Sequence, residues 1–198
     1  MQQTLRNSRK KLLIVFGLFF GPLILALIWY YGFGAIFLQR AATNHAPLVQ
    51  PVVTLKPFTN LALDQSQIDL EKLKGKWTVL HRLGQTCDES CTTSLYNTRQ
   101  TRLALGKDSN RVQRFLLGSN VNLLETSGVD HVDLGLLLRV AGGLDTQLKP
   151  VVESMSMGPD DALLVDPLGN VMMVIPADLN PSYLLKDLKK LLKLSKIG

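Results

Sequence analysis

Cysteine, histidine and aromatic residues are scarce: the 198 residues include two cysteines, three histidines and 7% Phe, Trp and Tyr. Two cysteines exclude a disulfide-stapled scaffold, and three histidines exclude an array of zinc fingers. Charged residues are also few, at 19% against 46% hydrophobic, which excludes a disordered polyelectrolyte. None of the 16 acidic residues precedes Lys56. There is no internal repeat and no low-complexity segment, so solenoids and fibrous folds are set aside as well.

What is present is charge of one sign at the two ends. A net charge of +6 and a pI near 9.4 raise nucleic acid or an anionic membrane as partners. Arg6, Arg9, Lys10 and Lys11 account for much of it, and Lys186, Lys189, Lys190, Lys193 and Lys196 crowd the last predicted helix against Asp187 alone. Residues 56–185 hold 12 basic and 15 acidic residues, which leaves no basic face for a nucleic-acid groove. Nucleic acid is therefore excluded as a partner.

Leu12 to Leu38 is a run of 27 uncharged, mostly apolar positions. About 20 such residues cross a hydrocarbon core as a helix. Trp29, Tyr30 and Tyr31 stand where amphipathic rings favour the headgroup interface. Four positive charges before the run, against Arg40 after it, predict a cytoplasmic N-terminus with the body outside. A cleaved signal peptide would carry an apolar region of about 7–15 residues. Here the only small-residue site, Ala41–Ala42, follows Arg40, so an uncleaved anchor in the lipid bilayer is expected. Gly17 and Gly21 match a small-residue helix-pairing motif.

The expected organisation is a flank over 1–11, a membrane helix over 12–38, an extended tether over 39–60 and a folded domain over 61–198. Pro47, Pro51 and Pro57 mark the tether, in which His45 has no evident partner. Trp77 to Leu83 predicts a buried strand, Gly84 to Ser90 a loop and Cys91 to Leu105 a helix stopped by Gly106. Arg111 to Leu117 predicts a strand, and residues 118–133 are loop-like. Leu134 to Ala141 and Leu144 to Val152 predict short helices on either side of Gly142–Gly143. Ala162 to Val165 and Val171 to Ile175 form a hairpin about Asp166-Pro-Leu-Gly-Asn. Asn180–Pro181 then opens a helix with a Leu184, Leu185, Leu188, Leu191, Leu192 stripe. A βαβ unit followed by ββα is the thioredoxin plan, an α/β fold with a central mixed sheet flanked by helices.

Both cysteines lie in Gln85-Thr86-Cys87-Asp88-Glu89-Ser90-Cys91, between the predicted strand and helix. That spacing allows a disulfide, or two thiolates pinching a soft metal. An inert bridge would stabilise little, since closing so short a loop contributes about 2 kcal/mol. A helix start favours thiolate, whereas Asp88 and Glu89 oppose it. In an exchange reaction Cys87, nearer the loop, would attack and Cys91 would resolve.

Leu73-Lys74-Gly75-Lys76-Trp77-Thr78-Val79-Leu80, then Gly84, then Cys-x-x-x-Cys, resembles the SCO/SenC family, as does Leu163-Leu164-Val165-Asp166-Pro167-Leu168-Gly169. The similarity runs from about Leu61 to Leu194. It implies a thioredoxin-like fold and an anchored domain on the periplasmic side of a bacterial inner membrane. It further implies a role in assembling the CuA centre of cytochrome c oxidase, with an oxidase subunit or another assembly factor as partner. By the resemblance, Cys87 and Cys91 are the copper and redox pair, acting in copper handling or in reduction of partner thiols. A general membrane-anchored periplasmic thiol-disulfide oxidoreductase is the alternative. The family's prolines after each cysteine are replaced by Asp88 and Thr92. The family's distal copper-ligating histidine would fall near Gly158, and the chain has no histidine after His131. Met155 and Met157 stand beside that position, and their thioethers are candidate soft ligands for copper.

Overall fold

The computed structural model describes residues 2–33, 44–62, 67–84, 86–118, 133–138, 143–195 and 197, in two compact units divided after Thr43. In the first unit, α1 (Gln2–Ile28) continues through one wider turn, Trp29–Phe33. Lys10–Gly32 is long and apolar enough to cross a membrane. Leu12, Leu18, Phe19 and Leu25 are exposed, as expected of side chains that face lipid rather than a protein core. Gly17 and Gly21 have open space around them. The end of the predicted span, residues 34–38, and the Ala41–Ala42 site lie outside the described residues.

The second unit contains β1 (Leu48–Thr54), β2 (Thr59–Ala62), β3 (Gln67–Asp69), α2 (Leu70–Leu73), β4 (Trp77–Arg82), α3 (Glu89–Ala104), β5 (Val112–Gly118), β6 (Leu134–Leu138), α4 (Leu144–Ser154), β7 (Ala162–Val165), β8 (Asn170–Ile175) and α5 (Pro181–Leu194). The strands form one sheet in the order β1-β8-β7-β4-β5-β6-β2-β3. β4 pairs in parallel with β5, and β5 with β6, while β7 runs antiparallel to both β4 and β8. This is the mixed sheet expected from the sequence.

Alternation along the central strands splits the core in two. Leu80, Leu117, Leu163 and Val165 face Leu144, Leu148 and Val151 of α4. Trp77, Val79, Ala162 and Leu164 face Leu184, Leu188 and Leu192 of α5. With both faces covered, β4 is buried from Trp77 through His81 and reads as an unbroken apolar run rather than an alternating one. The β7–β8 turn closes as predicted. Asp166 accepts hydrogen bonds from the Leu168 and Asn170 amides at 2.9 and 2.8 Å, and Gly169 takes φ +93°, where a side chain would be strained. Asn180 caps α5 through the Ser182 amide at 2.9 Å, with Pro181 opening the helix.

Two expectations are corrected. From Asn44 the presumed tether belongs to the folded unit: β1 pairs with β8, and β2 pairs with β3 and β6. Pro51 fits because β1 is a sheet edge, where a missing N–H costs no ladder bond. His45 is likewise partnered. Its Nδ1 lies 2.9 Å from Asp187 Oδ1, its ring stacks on Tyr183 at 4.4 Å, and Asp187 Oδ2 accepts the His45 and Ala46 amides at 2.8 and 3.0 Å. Asp187, buried to 2% exposure, therefore ties the start of the domain to its last helix. Charge-assisted bonds of this kind contribute about 1.5–3 kcal/mol each.

The second correction is Leu134–Leu138, which is strand β6 rather than helix. Leucine favours helix locally, but parallel pairing with β5 overrides that preference. Gly135 is the reason β6 can lie there: the Phe115 ring of the neighbouring strand occupies the space a Cβ would take. Residues 139–141 of the expected helix and 119–132 of the expected loop lie outside the described residues, as does His131.

Candidate functional site

β4 delivers the chain to one end of the sheet. Past Arg82, the Leu83 amide still bonds the Leu117 carbonyl at 2.8 Å, holding the start of the loop against β5. α3 begins two residues before the expected Cys91. Asp88 is its N-cap: one carboxylate oxygen accepts the Ser90 and Cys91 amides at 3.0 and 3.2 Å. The helix start that would have stabilised a thiolate is thus already occupied by a carboxylate.

Cys87 and Cys91 are joined as a disulfide with Cα atoms 5.1 Å apart. Their environments differ. Cys91 is 6% exposed in a cluster with Leu83, Leu95, Leu116 and Leu134, whereas Cys87 packs on the outside of that cluster and is half-buried. A partner sulfur therefore has access to Cys87 and little to Cys91.

Beneath α3 lies a buried polar layer that sequence reasoning did not find. His81, 3% exposed, places Nε2 2.9 Å from Thr98 Oγ1. The single Thr98 hydroxyl proton is shared between the Ser94 and Leu95 carbonyls at 3.1 Å each. The imidazole is therefore the donor to Thr98, protonated on Nε2 and neutral. Burial, then the nearby Arg114 charge, pushes the His81 pKa down to about 3.

Arg114, 2% exposed, reaches the Leu95 carbonyl at 2.7 Å and Asp133 at 2.9 Å. Arg99 and Arg102 share the same Asp133 carboxylate at 3.3 Å each. Burial lowers the Arg114 pKa to about 10, partly offset by Asp133. A guanidinium on an interior strand face breaks the apolar pattern of Val112 to Leu117, and that break is the only sequence signal it leaves.

Of the expected site residues, the structure brings Cys87 and Cys91 together. Met155 and Met157 pack instead on the core cluster that includes α4, not on the cluster that holds the cysteines. His81 is committed to Thr98 and His45 to Asp187. Among the described residues, no group of three or more His, Cys, Asp and Glu side chains converges. The donor set at the bridge, once reduced, is two thiolates. These suit Cu(I), but the third ligand implied by the sequence resemblance is not supplied by either described histidine.

The family model described as a transmembrane-like, thioredoxin-like, C-terminal domain matches residues 77–195. Copper-bound yeast Sco1 has a TM-score of 0.59 at 15% identity, covering 74% of this chain and 96% of that one. Copper-bound ScoI of Bradyrhizobium japonicum has a TM-score of 0.51 at 19% identity, covering 70% and 98%. BsSco, described as a Sco-family cytochrome c oxidase assembly protein with a disulfide switch, has a TM-score of 0.52 at 15% identity, covering 72% and 95%. At these identities the likeness is one of fold, and it agrees with the SCO-type pattern read from the sequence. No curated protein matches the chain significantly.

Proposed function

The chain belongs to the transmembrane-like, thioredoxin-like C-terminal domain family, and we propose that it is a membrane-anchored, SCO-type accessory protein that exchanges disulfides with partner cysteines. The carrying observation is the bridge itself: a half-buried Cys87 joined to a buried Cys91 at the start of α3. In the reducing direction the Cys87 thiolate attacks a partner disulfide and one partner sulfur leaves. Cys91 thiolate then attacks Cys87, the second partner sulfur leaves, and the Cys87–Cys91 bridge forms as the partner gains two electrons.

The setting is assembly of the CuA site of cytochrome c oxidase, whose copper-binding cysteines must be reduced before they take metal. The sequence resemblance and the fold of the Sco structures support that setting. α1 anchors the domain in the bacterial inner membrane with the basic flank in the cytoplasm and the dithiol in the periplasm, as the distribution of Arg and Lys supports. Copper enters as cargo, held between the two thiolates when the pair is reduced.

The test mixes the reduced full chain in detergent with an oxidised CuA-type oxidase domain and, separately, with an unrelated peptide disulfide. Free thiols are counted by mass after alkylation. The expected result is transfer to the oxidase domain about tenfold or more faster than to the peptide, a selectivity of about 1.4 kcal/mol. Equal rates would favour a general oxidoreductase, and no transfer to either would overturn the redox reading.

A further inference from the structure

A cleft of about 300 Å³ opens at the start of α3, the helix that carries Cys91. One wall is the first turn of α3, with Glu89, Ser90 and Thr93, and the other is the loop after β8, with Ala177 and Asp178. Glu89 and Ser90 lie between the two cysteines in sequence, so one wall of the cleft includes residues of the Cys-x3-Cys segment. Both walls are fixed. Asp161 accepts the Gly158 amide at 2.8 Å and the Ala177 amide at 2.9 Å, and Ser94 donates to the Asp160 carbonyl at 3.0 Å, pinning α3 to the same loop.

The two segments that wall the cleft carry charge of one sign. Residues 83–98 and 150–185 contain no lysine, arginine or histidine, although the chain as a whole carries +6. Glu89 and Asp178 are exposed, and no cation pairs with either among the described residues. Asp88, committed to its cap, adds a third carboxylate at the start of the helix that forms one wall. A partner delivering sulfur to Cys87 must cross this field, which attracts cationic segments and repels anionic ones.

We propose that the cleft is the docking site for the partner, and that it selects a polypeptide whose reactive cysteine is flanked by lysine or arginine. This rests on the disulfide-exchange reading and adds the chemistry of the partner. The cationic side chains seat against Glu89 and Asp178 and bring the partner disulfide to the Cys87 sulfur. Attack by Cys87 thiolate forms the mixed disulfide and releases the other partner sulfur as thiolate. Resolution by Cys91 forms the intramolecular bridge and frees the docked cysteine.

The test uses the reduced full chain in detergent and three cysteine peptides, each pre-linked to thionitrobenzoate, with lysine, serine or glutamate on both sides of the cysteine. Release of thionitrobenzoate reports the exchange rate. At low salt the lysine peptide reacts about 30-fold faster than the glutamate peptide, with serine between, and the ratio shrinks as salt is raised. In the double variant Glu89→Gln, Asp178→Asn the low-salt ratio falls to about threefold. In Glu71→Gln, Glu153→Gln, which removes equal charge elsewhere, the ratio persists. If the serine peptide fails to react, the exchange reading itself fails. If all three react at equal rates, or the distant variant collapses the ratio as fully as the cleft variant, exchange stands and the docking inference is overturned.

Discussion

Cys91→Ser turns the chain into a trap: its reduced form captures a peptide disulfide at Cys87 and does not release it. The reason is the division of exposure across the bridge, with Cys87 half-buried and Cys91 6% exposed beneath Leu83, Leu95 and Leu116. Cys87 meets the partner first, and Cys91 sits four residues on, within a single disulfide's reach. Intramolecular attack at such range carries a very high effective concentration. Its loss should lengthen the lifetime of the mixed disulfide by about 100-fold or more. Cys87→Ser has the opposite phenotype: the remaining thiol is shielded and should capture the same peptide about 100-fold more slowly, because access limits the attack. Non-reducing electrophoresis and intact mass follow both species. Equal capture by the two variants would mean that exposure does not set the order of attack.

The second large effect is acid sensitivity centred on His81. The folded chain holds this imidazole neutral, with a pKa of about 3 against 6.5 for the free side chain. A histidine with a depressed folded value contributes no penalty above pH 6.5. As pH falls, the unfolded chain takes up a proton that the folded chain refuses, so stability is lost between pH 6.5 and about 3. The slope is about 1.4 kcal/mol per pH unit, which gives a loss of about 2 kcal/mol from pH 7 to pH 5. His81→Leu removes the titrating group while Thr98 keeps its bonds to the Ser94 and Leu95 carbonyls. Urea unfolding at both pH values should show that the variant loses about 2 kcal/mol less than the parent over this interval. An identical acid limb in both proteins would mean that His81 is protonated, or accessible, in the folded state.

The folding plan was largely legible because it rests on short-range signals. The Asp166-Pro-Leu-Gly-Asn turn, the Asn180–Pro181 cap and the apolar run of β4 each specify local geometry, and each formed as expected. The cysteine spacing allowed the bridge as one of two arrangements, and Asp88 signalled a carboxylate opposing thiolate. The leucines of Leu134–Leu138 carry no strand signature of their own. Their conformation is imposed by β5 and by the Phe115 ring over Gly135. The segment from Asn44 looked detached because prolines signal extended chain without saying what that chain pairs with. The polar layer under α3 was invisible for a related reason. Arg114, Asp133 and Thr98 are far apart in sequence, and only the fold makes one carboxylate the shared partner of three arginines.

A local contact bears directly on the redox pair. The Asp88 carboxylate sits on the amides of Ser90 and Cys91, where it disfavours the negative charge of a reduced pair. Destabilising the dithiolate draws the equilibrium toward the bridge and makes the reduced protein the better electron donor.

The most direct test of the central claim is the reduction potential of Cys87–Cys91 in the full chain, measured by equilibration with thiol-disulfide buffers and alkylation. An exchanging pair that donates electrons to partner cysteines should titrate as one two-electron couple between about −280 and −200 mV. A potential below about −300 mV, in the range of structural bridges, would make this disulfide a staple and contradict the account.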